Sequence, residues 1–136
     1  MSDYSFLIEM DVRDYECDLQ GIVNHARYLH YFEHARHQML LDLGMDFADL
    51  TARGVFLVVF RVEADYRVPL KSGDRFVVRS WLERMSKLRF VVNQEILRQP
   101  DGASCVKAKI IATSISREGR PIFVPEIFEL MEKNAI

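Results

Sequence analysis

Residues 13–29 read RDYECDLQGIVNHARYL, and this stretch decides how the chain folds. Its first half is polar and turn-forming, with Gly21 as the pivot. From Asn24 onward, apolar residues recur every three or four positions, which predicts a helix. Asn24 suits an N-cap and Gly44 suits the position just past a helix end, so we expect the helix to span residues 24–43. Its apolar residues cover more than one stripe, which predicts that other elements enclose it.

Strand patterns flank this helix on both sides. Alternating apolar residues predict a strand over residues 4–13. Beyond the helix, the sequence predicts a short helix at 46–52, strands at 55–68, 75–85, 88–98 and 104–116, a short strand after Gly119 and a closing helix at 125–133. Long strands in hairpin succession form antiparallel sheets. We therefore expect an α+β fold in which a sheet of about five strands wraps around the long central helix.

Length and composition limit the class of protein. The chain has 136 residues, which predicts a single domain over residues 1–136. Hydrophobic residues make up 49% of it, so a full core can form. The formal net charge of -2 argues against a nucleic-acid partner, because nucleic-acid binders usually carry a basic face.

Cysteine content and hydropathy predict the compartment. Two cysteines, Cys17 and Cys105, fit a reducing environment and do not make a disulfide framework. The N-terminal residues lack a basic region followed by a long apolar run, so no signal peptide is expected. No apolar run approaches the roughly 18–20 residues that span a membrane. We therefore expect a cytoplasmic protein with no membrane partner.

One carboxylate stands out chemically. Asp18 lies seven residues before His25, on the loop that leads into the long helix. A carboxylate there can face the free N–H groups of the helix N-terminus, which favour a developing negative charge. A base or nucleophile opposite an oxyanion site is the minimum equipment for cleaving an acyl bond. An aspartate before a helix is more often a cap or a surface residue, so this position alone does not assign the role.

The same stretch resembles the signature of the hotdog-fold acyl-CoA thioesterases of the 4-hydroxybenzoyl-CoA thioesterase-like family. The resemblance is carried by the run from Tyr15 to Leu29 and by Tyr31-Phe32-Glu33 and Ala35-Arg36. At motif level it covers about residues 12–36, and in element order nearly the whole chain. The chain departs from many members at Glu16-Cys17, just before the aspartate, and at Asn24, just before the histidine.

The resemblance implies a fold, an activity and a set of roles. It implies hydrolysis of an acyl-CoA to the free acid and CoA, with no cofactor and no metal, by a homodimer or homotetramer. Asp18 would be the nucleophile or general base, and His25 would supply its N–H to the oxyanion and its imidazole to the thioester. The candidate substrate contacts are Tyr15, Gly21, Val23, Asn24 and, for the CoA phosphates, Lys87 and Arg89.

Several of these candidates have structural alternatives. Asn24 fits a helix cap better than a substrate contact, and Tyr15 fits packing better than lining the site. Lys87 and Arg89 could equally form a solvated hairpin. Cys17 is a weak candidate nucleophile, because a neighbouring carboxylate disfavours the thiolate.

The function itself also has alternatives. An acyl-acyl carrier protein (ACP) thioesterase would use the same site and would need a basic face for its acidic partner. A hotdog protein that binds acyl thioesters without cleaving them would need no catalytic carboxylate. The sequence does not determine the length of the acyl chain or whether it is aromatic or aliphatic.

Overall fold

The computed structural model describes residues 5–133 and packs one long helix against an antiparallel sheet. In chain order the elements are β1 (Phe6–Asp11), a 3₁₀ turn (Asp14–Glu16), α1 (His25–Asp42), α2 (Phe47–Ala52), β2 (Phe56–Tyr66), β3 (Arg75–Arg84), β4 (Arg89–Gln99), β5 (Ser104–Ile115) and α3 (Pro125–Lys133). The predicted strand included Tyr4, which lies outside the described residues.

The five strands form one sheet in the order β1-β3-β4-β5-β2, so β1 and β2 are its edges. Each neighbouring pair is antiparallel. Alternate residues of the central strands face α1, among them the fully buried Val78 and Ile96. From the helix, Phe32, Ala35 and Met39 pack on this face with no exposed surface. The predicted α+β architecture is confirmed.

A buried amide fixes α1 to the sheet. Gln94 on β4 is 1% exposed, and its Nε2 donates to the Phe32 carbonyl at 3.0 Å and to Ser80 Oγ at 2.9 Å. Its Oε1 accepts a hydrogen bond from the Arg36 guanidinium at 3.2 Å. A buried amide needs such partners, because an unpaired polar group in a core is strongly destabilising.

One expectation for the elements is wrong. After Gly119 the chain forms a single bridge between Ile115 and Pro121 instead of a strand, since Pro121 has no N–H to extend a ladder. The sheet covers one face of α1, and other residues of the helix stay open within the subunit, with Leu29 38% and Leu41 46% exposed. None of the helices between residues 5 and 133 is long and apolar enough to cross a lipid bilayer.

Candidate active site

The loop before α1 closes on itself around Asp18. The Asp18 N–H donates to the Ile22 carbonyl at 2.8 Å, and the Gly21 N–H donates to the Asp18 carbonyl at 3.0 Å. Gly21 has φ +79°, a left-handed conformation that side chains with a Cβ rarely adopt. A bridge between Cys17 and Val23 joins the two arms of the turn. The sequence therefore places Gly21 where the backbone reverses.

The Asp18 side chain is half-buried and held by its own turn. Its Oδ1 accepts a hydrogen bond from the Gln20 N–H at 2.9 Å. The carboxylate also lines a cleft that contains His25. The remaining acceptor positions of the carboxylate are available to a ligand, because an ionised carboxylate has about four lone-pair sites.

The start of α1 leaves one amide available beside this cleft. Asn24 is the N-cap, and its Oδ1 accepts from the Ala26 N–H at 2.9 Å. The Asn24 carbonyl accepts from the Arg27 N–H at 2.9 Å, which begins the helical ladder. The His25 N–H donates to no acceptor within residues 5–133. It is thus an unused donor at the positive end of the helix dipole.

The cleft has a volume of about 360 Å³ and opens to solvent. Two segments distant in sequence form it, and its lining comprises Asp18, Ile22, Val23, His25, Tyr28, Tyr66, Arg67, Val68 and Pro69. The structure thus brings together Asp18, Val23 and His25 of the predicted residues. Sequence reasoning missed the other lining residues, which are Ile22, Tyr28, Tyr66, Arg67, Val68 and Pro69.

Two tyrosines connect the cleft walls. The Tyr66 hydroxyl donates to the His25 carbonyl at 3.2 Å, which fixes the end of β2 against the start of α1. The Tyr28 hydroxyl accepts from the Leu70 N–H at 3.0 Å. The two rings meet edge-on, with their centroids 5.6 Å apart. Burial raises the pKa of Tyr28 above its ordinary value, so its hydroxyl stays protonated at neutral pH.

The buried carboxylate of Glu16 holds the loop against α1. Glu16 is 6% exposed, and its Oε1 accepts from the Arg13 N–H at 2.8 Å and from the Tyr31 hydroxyl at 3.0 Å. Burial, followed by the hydrogen bond to Glu16, raises the pKa of Tyr31. The protonated hydroxyl is therefore the donor, and the contact ties the loop to α1.

Other predicted residues lie outside the cleft. Tyr15 is 66% exposed, so the expectation that it packs is wrong within the subunit, and it is not among the residues that line the cleft. Arg27 lies 5.9 Å from the centre of that ring. Lys87 and Arg89 lie on the β3–β4 hairpin, and the Arg89 guanidinium stacks on Phe60 at 4.7 Å. From the strand register and rise, this hairpin is about 20 Å from the Tyr66 end of the sheet.

Cysteine and metal chemistry have little support at this site. Burial, with a contribution from the Asp14 carboxylate, raises the pKa of the Cys17 thiol, which makes it a poorer nucleophile. In the described part of the chain, no three or more His, Cys, Asp or Glu side chains are grouped to hold a metal ion.

An antiparallel sheet of five strands packed on one long helix matches the fold of the hotdog-fold thioesterases. A family model described as the thioesterase-like superfamily matches residues 12–132, and the chain belongs to this superfamily. The predicted family and hotdog fold are confirmed.

Three known proteins illustrate the relationship. The acyl-acyl carrier protein thioesterase ATL3 of Arabidopsis thaliana is 33% identical over 118 residues, which are 87% of this chain and 62% of that protein. The long-chain acyl-CoA thioesterase FadM of Escherichia coli is 30% identical over 125 residues, 92% of this chain and 93% of that protein. The structure of a DHNA-CoA thioesterase from Staphylococcus aureus has a TM-score of 0.86 at 25% identity, covering 95% of this chain and 89% of that one. The chain spans 62% of ATL3 and 63% of the related ATL2.

Proposed function

We propose that this chain hydrolyses acyl thioesters at the Asp18 cleft, releasing a free acid and a thiol. The observation that carries the proposal is the pairing of a half-buried carboxylate with the unused amide of His25 in one cleft. A thioester is already activated, because sulfur donates poorly into the carbonyl and the thiolate leaves readily. One carboxylate and one oxyanion site are therefore sufficient chemistry.

Asp18 can act in two ways. As a nucleophile, a carboxylate oxygen attacks the carbonyl carbon, the C–S bond breaks, and water then hydrolyses the mixed anhydride. As a general base, the carboxylate takes a proton from a water that attacks instead. In both routes the carbonyl oxygen becomes negative and accepts from the His25 N–H, while the His25 imidazole assists the leaving thiolate. Turnover in ¹⁸O-water followed by mass spectrometry of the protein distinguishes them, since only the nucleophilic route labels Asp18.

The substrate that we favour is an acyl-CoA, as the name of FadM suggests. Lys87 and Arg89 lie about 20 Å from the Tyr66 end of the sheet, a separation comparable with the pantetheine arm that joins the thiol of CoA to its phosphates, so both stay candidates for the phosphates. Arg67 lines the cleft and is exposed, which makes it a further candidate for a negatively charged part of the substrate. Val23 lines the cleft, whereas Gly21 and Asn24 lie outside its lining: Gly21 allows the turn that carries Asp18, and Asn24 caps α1.

The second candidate substrate is an acyl-ACP, which the similarity to ATL3 favours. Arg67 and the exposed Lys71 lie on the segment that borders the cleft, where an acidic carrier could dock. Measuring the rate of thiol release from an acyl-CoA and an acyl-ACP with the same acyl chain, at low and at high salt, distinguishes the two candidate substrates. A carrier-dependent enzyme is strongly inhibited by salt and prefers the ACP substrate, whereas a CoA-dependent enzyme prefers the CoA thioester.

We further propose a homodimer that joins through β2 and works in the cytoplasm. β2 is an edge strand and exposes Val59, Phe60, Val62 and Tyr66, each more than 40%. An exposed apolar edge is a template for pairing with another chain. Since Tyr66 also lines the cleft, a partner on this edge would border the site.

Substitution of Asp18 by asparagine tests the activity. Asp18→Asn keeps the shape of the side chain and removes the base, so we expect thiol release to fall by roughly 100-fold or more. The control is Asp65→Asn, an equal change of charge on the exposed end of β2. Full turnover by Asp18→Asn would contradict the mechanism. Saturable binding of an acyl-CoA by the wild-type chain without thiol release would indicate a non-catalytic binding protein.

A further inference from the structure

A second cavity lies between α1 and the sheet, toward the other end of the helix from the Asp18 cleft. Its volume is about 390 Å³. Its walls are mainly apolar and include Leu40, Leu57, Phe90 and Val92, and its polar groups come from α1: Glu33, Arg36 and His37. An apolar cavity with a few polar groups on one wall is typical of a site that selects its ligand.

The cavity and the cleft lie along one pair of elements that run in opposite directions. At one end, Tyr66 on β2 donates to the carbonyl of His25 on α1. At the other end, Leu57 on β2 and Leu40 on α1 both line the cavity. The cavity and the cleft therefore lie in line with each other, at opposite ends of the space between α1 and the edge strand.

The surface between them is apolar and open. Val62 pairs with the buried Ile110 and so faces the helix side of the sheet, yet it is 43% exposed. Leu29 on α1 is 38% exposed, and it lies one turn after His25 and one turn before Glu33. Together these residues form the floor and wall of a groove that suits an aliphatic chain.

Arg36 places a charge on the wall that α1 contributes to this groove. It is half-buried, and one N–H of its guanidinium donates to the neutral Gln94 amide at 3.2 Å. No ion pair within residues 5–133 joins Arg36 to a carboxylate. Burial lowers its pKa, while the Glu33 carboxylate nearby acts in the opposite direction. A plain alkyl end placed here would strip water from the guanidinium without replacing its hydrogen bonds.

Glu33 and Arg36 on α1 determine which chemical group of a ligand fits the cavity. A guanidinium offers hydrogen-bond donors, and a carboxylate offers acceptors. A hydroxyl can accept from Arg36 and donate to Glu33, and it is neutral enough for apolar walls. A carboxylate on the ligand would be attracted by Arg36 but repelled by Glu33, so the two effects would offset each other. From these contacts we propose, building on the thioesterase function above, that the groove selects acyl thioesters whose chain carries a hydroxyl at its far end.

The geometry also sets the length of that chain. His25 and Arg36 are eleven positions apart, about 16 Å along the helix axis. The Arg36 side chain, however, reaches back to Gln94, whose amide also donates to the Phe32 carbonyl. Phe32 is seven positions after His25, about 10 Å along the axis, so the guanidinium lies between about 10 and 16 Å from the start of the helix. Extended chains of medium length span this range, and ω-hydroxydodecanoyl reaches its upper end. Past Arg36, His37 stacks on Phe47 with ring centroids 4.8 Å apart and closes the end of the cavity. Longer chains would have to displace that pair.

The test compares ω-hydroxydodecanoyl-CoA with dodecanoyl-CoA as substrates of the same protein. We expect kcat/KM of the wild-type chain to favour the hydroxylated substrate by about tenfold or more, the effect of a hydrogen bond to a charged group. Arg36→Leu should abolish or reverse that preference. Because both substrates are measured on each variant, a general loss of folding or activity cancels from the ratio. Arg79→Leu on the outer face of the sheet should keep the wild-type ratio.

Measurements of binding affinity test the proposed hydroxyl selectivity independently of the proposed thioesterase activity. Dissociation constants of both thioesters are measured by calorimetry with the Asp18→Asn variant, with and without Arg36→Leu. A preference for the hydroxylated ligand that Arg36→Leu removes would support the groove assignment even if no thioester were hydrolysed. Equal affinities, or tighter binding of dodecanoyl-CoA by the chain with Arg36 intact, would overturn it while leaving thioester hydrolysis untouched.

Discussion

At the residue scale, the amide of His25 can be removed without breaking α1. His25 is the first helical residue, where proline is tolerated, and Asn24 has φ -64° and ψ 140°, a conformation that suits a residue before proline. His25→Ala removes only the imidazole, whereas His25→Pro removes the N–H as well. We expect kcat for His25→Pro to be about 100- to 1000-fold below that of His25→Ala, the effect of losing one oxyanion donor.

Circular dichroism and thermal unfolding provide the control for this pair. Both variants should keep the helix content of the wild-type protein. Equal kcat values for folded His25→Pro and His25→Ala would show that the amide does not contact the oxyanion.

Sequence proximity decided which site residues were predictable. Asp18 lies on the loop that leads directly into α1, and His25 is the first residue of that helix, so their relation follows from local structure alone. Tyr66 and Arg67 lie more than 40 residues further along the chain than His25. They reach the same cleft because β2 pairs with β5 and is thereby held in the sheet. Sequence patterns predict that β2 is a strand but not which helix end it meets. Lys87 was placed by charge alone, which carries no information on distance.

At the element scale, the N-cap of α1 controls both stability and the site. The Asn24 side chain satisfies the Ala26 N–H, so Asn24→Ala should lower the free energy of unfolding by about 1 kcal/mol. Urea unfolding measures the change. Asn24→Asp, which keeps a capping oxygen, should retain most of the wild-type stability. A loss of activity in Asn24→Asp without a loss of stability would instead assign Asn24 a direct contact with substrate.

The attachment of α1 to the sheet depends on Gln94. Gln94→Leu leaves the Phe32 carbonyl, Ser80 and Arg36 without their shared partner, so we expect a loss of about 1–3 kcal/mol in the free energy of unfolding. The same substitution at the exposed Gln99 should change the stability little. Equal unfolding midpoints for the two variants in urea would mean that this network does not stabilise the contact between helix and sheet.

Elements with strong periodicity were predicted almost to the residue. α1 and α3 begin and end where their caps and Pro125 indicated, because local contacts decide helix ends. The strand expected after Gly119 does not form, because pairing depends on a partner strand and on a free N–H that Pro121 lacks. The hydrogen bond from Arg36 to Gln94 joins two elements, so the helical pattern alone does not predict it.

At the scale of the whole molecule, the two edges of the sheet differ. β1 and β2 are both edge strands, but β2 carries the larger set of exposed apolar residues and borders the cleft. Sequence patterns predicted the strands without their order, and only the order places β2 at an edge. The proposed dimer is therefore an inference from the sheet topology combined with exposure.

A charge on the β2 edge should separate the proposed dimer. Phe60 lies where the register between β2 and β5 shifts, between Val59 and Arg61, and it is 46% exposed. It does not line the cleft. Phe60→Lys adds a charge to an edge strand and should shift the protein toward monomer in light scattering. Leu7→Lys makes the same type of change on the opposite edge, at a residue that is 60% exposed, and should leave the dimer intact. Dissociation by Leu7→Lys alone would place the interface on β1, and a monomeric wild-type protein would remove the need for a partner at the Asp18 cleft.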